Sequence, residues 1–474
     1  MKRGSKLLLL CLTLAVLAAC YFGVRQLTAE PDEEEEGIAL AAPETPTQLS
    51  WTDDSGTLTL ENSGEDGWTY ADDTAFPLDQ TVPEDMTSAL SSASASRQID
   101  TPESLEDYGL DEPVLTITAL DEDGTEYTYA FGDVNELTGE YYLLCNGDED
   151  TVYLVSSELH DAFNLDLYDM VEMEDLPEFG SVTALSVEQP SGSLSLRYEE
   201  DSAGLSYDAD KHWFLEQGDS LLALDSSKAS SLTSSITGLY WKSCLTYNVD
   251  DEELAAWGLD DDSAVIITAS YTAAIDEGEE TAEEETFALR LGGTCDDGTY
   301  AMLEGSSMVY LIDTETADSL RYASYSSLRS DSICSMDWDT VDQLDITLDG
   351  TTYTISFDVT EVESDSEDED AEVETTTLYT WNGQELDSTE VGNMLSSINS
   401  LTATGDASGS TGASTLISFT FHRNTGDDFS QLTLTLSSWD TGSCLASFTG
   451  ESSRLVDRSA VTSLSEQIQA LFES

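Results

Sequence analysis

The segments "YGLDEPVLTITA" (108–119) and "WGLDDDSAVIITA" (257–269) carry the clearest signal of the fold. Each joins an aromatic residue and Gly-Leu-Asp to a run rich in β-forming residues. The similarity continues downstream, where "YYLLCNGDEDTVYLVSSELHDAF" (141–163) matches "YAMLEGSSMVYLIDTETADSL" (300–320). Both of these predict two strands joined by a turn and followed by a helix. Similarity at so long a period indicates tandem copies of one folding unit.

The pattern extends upstream of these blocks in each copy, and there a third copy appears. A strand with a tryptophan, a Leu-Asp segment and a Ser/Thr-capped helix recur at 67–93, 212–239 and 379–401. The pattern predicts that Trp68, Trp213 and Trp381 lie on equivalent core strands. A hairpin precedes each copy, with turn residues at 54–56, 190–192 and 349–350 between alternating apolar positions. The third copy lacks Gly-Leu-Asp and carries the polar stretch "GDASGSTGAS" (405–414) instead.

These patterns predict an α+β protein with three tandem repeats after an N-terminal transmembrane helix. Each repeat is expected to be an antiparallel sheet with helices packed on one face, because two helices per unit are too few for a doubly wound parallel sheet. The expected segments are a cytoplasmic basic flank (1–6), a membrane anchor (7–24), an acidic linker (25–46), repeat 1 (47–176), repeat 2 (177–337) and a divergent repeat 3 (338–474).

The N-terminus allows three interpretations. Lys2, Arg3 and Lys6 precede an uncharged run from Leu7 to Val24, which is long enough to span a membrane. The basic flank should remain cytoplasmic, and the bulk of the chain should therefore be extracytoplasmic. An uncleaved single-pass anchor is the preferred interpretation. Lipidation at Cys20, which follows the small residues Leu17-Ala18-Ala19, is the main alternative, and a cleaved secretion signal is the third.

The charge excludes some partners. The chain has 97 acidic and 15 basic residues, for a formal net charge of −82. Nucleic acid is not an expected partner, because binding phosphates requires clustered lysine and arginine. So large a negative charge could hold cations weakly at the surface.

No catalytic constellation is visible, and the sequence predicts a protein that is not an enzyme and has no cofactor. The candidate general bases are His160, His212 and His422, which are far apart in the sequence and are expected at the surface or at strand ends. His160 is expected in a helix that Ser156 or Ser157 caps. The segment 121–133 begins like a calcium loop, but a glycine at loop position 6 would place Phe131 where a carboxylate is required. A hairpin turn is the better interpretation.

Cysteine spacing predicts neither a zinc site nor a disulfide framework. The five cysteines outside the apolar run are widely separated and form no C-x-x-C pair. They are expected to be buried free thiols: Cys145, Cys244, Cys295, Cys334 and Cys444.

The tryptophan strand, "YGLDEP" (108–113), "FGD" (131–133) and the "YYLL…TVYLV" hairpin resemble the bacterial domain of unknown function 4340 family. The resemblance is strong in repeat 1, good in repeat 2 and weak in repeat 3, and it supplies no catalytic or binding residues. It implies an auxiliary component of an ABC-type transport system, with integral-membrane transporter subunits as partners. The expected role is a membrane-anchored, extracytoplasmic, non-catalytic scaffold. The alternative is a cell-envelope binding module for glycan or cations, and the third class considered is an extracytoplasmic enzyme.

Overall fold

A computed structural model of the protein describes residues 37–64, 67–202, 204–218, 220–273, 283–362, 374–407, 414–426 and 428–473. The expected basic flank, membrane anchor and Cys20 lie outside these ranges, as do most of the acidic insertions at 276–285 and 361–374. Among the helices that the structure describes, none has both the length and the apolar character required to cross a bilayer.

The described residues form three antiparallel sheets of nine strands each. Sheet 1 contains β1 (Ile38–Ala39), β2 (Pro46–Thr52), β3 (Thr57–Asn62), β4 (Trp68–Tyr70), β5 (Ser94–Asp100), β6 (Leu115–Asp121), β7 (Glu126–Val134), β8 (Tyr141–Cys145) and β9 (Thr151–Val155). Sheet 2 contains β10 (Phe179–Gln189), β11 (Gly192–Tyr198), β12 (Trp213–Gln217), β13 (Ser220–Ala223), β14 (Ser243–Thr246), β15 (Val265–Ala273), β16 (Glu284–Thr294), β17 (Thr299–Leu303) and β18 (Val309–Ile312). Sheet 3 contains β19 (Val341–Leu348), β20 (Thr351–Val362), β21 (Glu374–Trp381), β22 (Gln384–Glu385), β23 (Ala403–Asp406), β24 (Thr415–Arg423), β25 (Gln431–Ser438), β26 (Ser443–Phe448) and β27 (Arg454–Asp457).

Short helices connect the strands. They are α1 (Thr81–Ser92), α2 (Glu158–Phe163), α3 (Ser226–Thr237), α4 (Asp251–Trp257), α5 (Thr314–Arg321), α6 (Tyr325–Leu328), α7 (Ser388–Asn399) and α8 (Arg458–Glu473). In sheet 3, buried side chains of α7 and α8 join one hydrophobic cluster with alternate strand residues. The same holds for α3 and α5 in sheet 2. The expected α+β class with tandem repeats is therefore confirmed.

The three sheets share one topology. Their strand orders are β1-β5-β9-β8-β7-β6-β2-β3-β4, β13-β12-β11-β10-β15-β16-β17-β18-β14 and β22-β21-β20-β19-β24-β25-β26-β27-β23. In each sheet the first strands follow one another from the middle of the sheet to one edge. A helix then leads to a strand at or near the opposite edge, and the last four strands lie between that strand and the first one. Sheet 1 has an additional edge strand, β1, which comes from the range expected to be linker.

By contact density the chain divides into two compact units. The first contains Met1–Asp175, Ser243–Asn248 and Ser307–Tyr310, and includes sheet 1. The second contains Leu176–Lys242, Val249–Ser306 and Leu311–Ser474, and includes sheet 3 with most of sheet 2.

The strand register also repeats. Each first hairpin pairs two buried aliphatic residues: Leu49 with Leu60, Leu185 with Leu196, and Leu344 with Ile355. Just before each pair the first strand has one extra residue against its other neighbour, at Thr47, Thr183 and Asp342. A bulge bends the strand and increases its twist. The three sheets therefore carry the same bend at the same place.

The tryptophan strands are equivalent, but their tryptophans are not. Trp68 and Trp213 are buried and lie two residues beyond the aliphatic pair. In sheet 3 that place belongs to Tyr379, and Trp381 lies opposite Ile355. The expectation that Trp381 is a core residue is therefore wrong, because it is only half-buried. Aligning the three tryptophans by sequence therefore placed Trp381 two residues away from the position equivalent to Trp68 and Trp213.

The aromatic-Gly-Leu-Asp motif ends a short helical turn. Gly109 and Gly258 have φ of 68° and 69°, a left-handed conformation that closes the turn and favours glycine. The leucines that follow, Leu110 and Leu259, are buried, as the sequence predicts.

The motif also explains the glycines of the next strand. A Cβ atom on Gly132 would lie 2.1 Å from the carbonyl oxygen of Tyr108, and one on Gly292 would lie 2.3 Å from that of Trp257. Both distances are far below van der Waals contact, so only glycine fits without a backbone shift. The "FGD" and "LGG" segments are thus packing partners of the motif.

Aspartate, and not serine or threonine, caps the crossing helices. Asp225 accepts hydrogen bonds from the amides of Ser227 and Lys228, and Asp387 caps α7 in the same way. At α1, Asp79 accepts from the amide and hydroxyl of Thr81. The expected Ser/Thr caps are therefore wrong, because the aspartate of the Leu-Asp segment reaches the free amides first.

The cysteines carry no disulfide in the described chain. Cys145, Cys244, Cys334 and Cys444 are buried, as expected, whereas Cys295 is half-buried. Burial raises the pKa of the Cys145 thiol to about 12 and that of Cys244 to about 11. Both thiols are therefore protonated and unreactive at neutral pH.

Candidate functional site

The three histidines do not converge. Each belongs to a different repeat: His160 to α2, His212 to the residue before β12, and His422 to β24. The expectation that His160 lies at the surface is wrong, because its ring is buried and stacks on Tyr141 with centroids 4.2 Å apart. Ser157 occupies the N-cap position of α2, but its side chain makes no capping hydrogen bond.

The other two histidines make few contacts, and the ring of His212 packs against Tyr198. His212 Nδ1 lies 3.0 Å from the carbonyl oxygen of Glu199. His422 Nε2 lies 2.8 Å from Asp345 Oδ2. Burial raises the pKa of Asp345, but hydrogen bonds from Thr354 and His422 outweigh it and leave the pKa lowered. A side-chain hydrogen bond at the strand surface accounts for this geometry.

The segment that begins like a calcium loop is the β6–β7 turn, as expected. Asp121 accepts hydrogen bonds from the amides of Glu44 and Thr45, and Gly124 has φ of 84°. Within the described ranges, no group of three or more histidine, cysteine or carboxylate side chains has a geometry that could hold a metal ion.

The densest polar cluster lies in the second unit, where repeat 2 meets repeat 3. Arg454, on β27, is 3 % exposed. Its Nη1 donates to the carbonyl of Ser330 at 2.5 Å, and its Nη2 donates to that of Ser332 at 2.7 Å. Nη2 also lies 3.3 Å from Glu451 Oε2. Because Ser330 and Ser332 belong to the connection between the repeats, this one guanidinium fixes the connection to sheet 3.

Further cations reinforce the junction. Arg329 pairs with Asp406 of β23, and its Nη1 donates to Ser452 Oγ at 3.3 Å. Lys228 of α3 pairs with Asp331 at 2.8 Å and donates to the carbonyl of Arg329 at 3.1 Å. The chain has only 15 basic residues. Three of them, Arg454, Arg329 and Lys228, hold the connection between the repeats through hydrogen bonds and ion pairs.

Tyr207 inserts into the same junction from the loop before β12. Its ring lies 5.0 Å from that of Phe448, and its hydroxyl oxygen accepts from the amide of Ser335 at 3.2 Å. Burial raises the pKa of Tyr207 well above its usual range, so the hydroxyl remains neutral.

A cleft of about 300 Å³ opens beside this cluster. Its lining combines polar and apolar surface, and its one charged residue is Glu451. The principal apolar residues are Leu205, Leu221, Leu222, Tyr325 and Phe429. Burial raises the pKa of Glu451, while Arg454, Arg329 and Lys211 act in the opposite direction. A partly apolar cleft with one oriented charge is typical of a binding site. The lining contains neither histidine nor cysteine.

A wider groove of about 550 Å³ lies over α3 and α5. Its lining combines serine and threonine with Leu232, Ala323 and Leu328, and also carries Asp313, Glu315 and Lys228, which is paired with Asp331. The cleft beside Glu451 differs in having a single charged residue in its lining.

Sequence reasoning missed both Arg454 and the cleft. The signal for Arg454 was an arginine at a strand position in a chain that has few cations. The cleft gave no signal, because its walls come from five separate segments.

Comparison with known proteins identifies the chain at the family level. Neither the curated proteins nor the solved structures include a significant match to it. The family model described as a domain of unknown function, DUF4340, matches residues 68–213 and 213–415. Each match begins at a buried tryptophan strand and spans the helix, the Gly-Leu-Asp motif and the following hairpin. Because these matches cover well over half of the sequence, the chain belongs to the DUF4340 family.

Proposed function

We propose that the protein is a membrane-anchored, extracytoplasmic, non-catalytic scaffold that serves as an auxiliary subunit of an ABC-type transport system. One observation carries the scaffold role: the residues that recur from repeat to repeat form turns, caps and packing contacts. Gly109 and Gly258 close turns, and Asp225 and Asp387 cap helices. Because the recurrent residues maintain the fold, we expect each repeat to bind partners through its folded surface.

The anchoring part of the proposal rests on the N-terminal sequence. The apolar run from Leu7 to Val24, behind a basic flank, favours a single-pass anchor with the bulk outside. Protease added to intact, wall-stripped cells should degrade the chain, and full protection would contradict this topology. Fatty-acid labelling distinguishes a lipid anchor, since label that disappears in Cys20→Ala would replace the uncleaved helix with a lipoprotein.

The transporter part of the proposal rests on the association of the family with ABC-type export systems. Affinity purification of the full chain from detergent-solubilised membranes should recover an ATPase and a permease. Trp213→Ala is the control, because losing a buried tryptophan costs about 3–5 kcal/mol and removes the folded surface. Recovery of no integral-membrane partner with the folded wild-type chain would contradict the proposal.

Weak cation binding is a second candidate property, favoured by the formal charge of −82. Equilibrium dialysis against Ca²⁺ should then show many weak sites whose occupancy falls with added NaCl. Binding that is insensitive to salt would indicate a specific site instead.

A further inference from the structure

Strand β13 forms an edge of sheet 2 and one wall of the cleft. Among the described strands it pairs with β12 alone, with Leu215 opposite Leu222 and Glu216 opposite Leu221. The amide of Leu224 donates to the carbonyl of Trp213, so alternate residues of β13 direct their backbone groups toward β12. By the same alternation, the N–H and C=O groups of Leu221 and Ala223 point away from the sheet. Within the described chain these groups have no hydrogen-bond partner.

Exposed edge strands usually carry charges or proline, or are very short. Strand β13 is short, with four residues, but it carries neither charge nor proline. The described residues of β13 are Ser-Leu-Leu-Ala, and both leucines are half-buried in the cleft wall. The corresponding strand of sheet 3, β22, has only Gln384 and Glu385, both exposed. The open, apolar edge is therefore a property of repeat 2 and not of the fold.

The opposite side of the cleft supplies the charge. Arg454 contacts Oε2 of Glu451, whereas Oε1 has no hydrogen-bond partner among the described residues. The Glu451 side chain is 33 % exposed, so a ligand in the cleft can reach it. Tyr325 and Phe429 also line the cleft and offer apolar contact to such a ligand.

We infer that this cleft binds an extended segment of a partner protein, which adds a strand to β13 and places a lysine or arginine side chain against Glu451. Backbone hydrogen bonds to Leu221 and Ala223 would supply affinity, and the carboxylate would select a basic residue. A basic side chain on the partner also complements the net negative charge of this protein. The inference deepens the scaffold role by naming its docking surface, and in that respect it rests on the proposed function.

Fluorescence anisotropy with the detergent-solubilised full chain tests the inference. The probes are labelled octapeptides of alternating valine and threonine with a central lysine, arginine, glutamine or glutamate. The basic peptides should bind at least tenfold more tightly than the glutamate peptide, because a charge-assisted hydrogen bond is replaced by repulsion. Glu451→Gln should abolish that preference, while Glu385→Gln, an equal change of charge on an exposed edge, should preserve it.

The strand contribution is tested separately. Leu221→Pro removes one outward N–H at an edge position and should weaken all the peptides. Backbone N-methylation of the peptide removes the matching donors without changing the protein, and should weaken binding to the same degree. Both results concern direct binding, so they stand even where no transporter subunit co-purifies.

Three outcomes would overturn the inference. The first is equal binding of the lysine and glutamate peptides to the wild-type chain. The second is a preference for the basic peptides that remains unchanged in the Glu451→Gln variant. The third is binding of N-acetyl-lysine amide as tight as that of the octapeptide, which would show a pocket for a small amine and no added strand.

Discussion

Replacing Arg454 with glutamine should strongly destabilise the second unit. The guanidinium is almost fully buried and contacts three acceptors, the carbonyls of Ser330 and Ser332 and the carboxylate of Glu451. Glutamine is shorter and neutral, and can satisfy at most one of the two carbonyls. Each buried acceptor left without a partner costs about 1–3 kcal/mol. Loss of the ion pair adds less than it would at a fully buried site, because the Glu451 side chain is 33 % exposed. We expect a loss of about 3 kcal/mol.

Urea unfolding followed by tryptophan fluorescence measures this loss as a lower midpoint at an unchanged slope. Arg458→Gln is the matched control, because Arg458 makes one exposed hydrogen bond to the carbonyl of Asp440 and should cost less than about 1 kcal/mol. Glu451→Gln should cost less than Arg454→Gln, because an amide oxygen can still accept from Arg454 and the two carbonyl contacts of the guanidinium remain. A value for Arg454→Gln within about 0.5 kcal/mol of the Arg458→Gln control would refute the reasoning.

Three further predictions concern single positions. Gly292→Ala should destabilise the chain by at least about 2 kcal/mol in the same assay, because its Cβ would overlap a backbone carbonyl, whereas Gly392→Ala in α7 meets open space and should be neutral or stabilising. His160→Gln should cost about 1–2 kcal/mol through lost ring packing, and an unchanged midpoint would contradict its burial. The pKa of Asp345 is lowered in the folded chain, so its contribution to stability is present above about pH 4 and is lost on further acidification; His422→Gln should flatten the acid limb of the stability profile.

The repeat architecture was predictable because it depends on local signals that recur. Alternating apolar residues, turn residues and the aromatic-Gly-Leu-Asp motif each specify their own segment. The copies at 108–119 and 257–269 could therefore be aligned by eye. The role of Gly292 was less accessible, because the carbonyl that excludes a side chain comes from a segment 35 residues earlier.

The expectations that failed depend on register and on contacts distant in sequence. Trp381 matched Trp213 by letter, but a shift of two residues keeps the same face of the strand and changes the neighbours. His160 follows Ser156-Ser157, a pattern typical of an exposed helix start, yet its ring packs against aromatic residues of β7 and β8. Arg454 is buried because its acceptors come from the connection more than 120 residues before it. None of these contacts is encoded within a local window.

The scaffold role is tested most directly by complementation of a deletion strain with the double variant His212→Gln, His422→Gln. These side chains are partly exposed and each makes one side-chain hydrogen bond, so their loss should leave folding and membrane localisation intact. The account predicts that this variant restores the wild-type phenotype, whereas Trp213→Ala does not. A double variant that folds and localises normally but fails to complement would show that the protein acts through chemistry, and would contradict the scaffold.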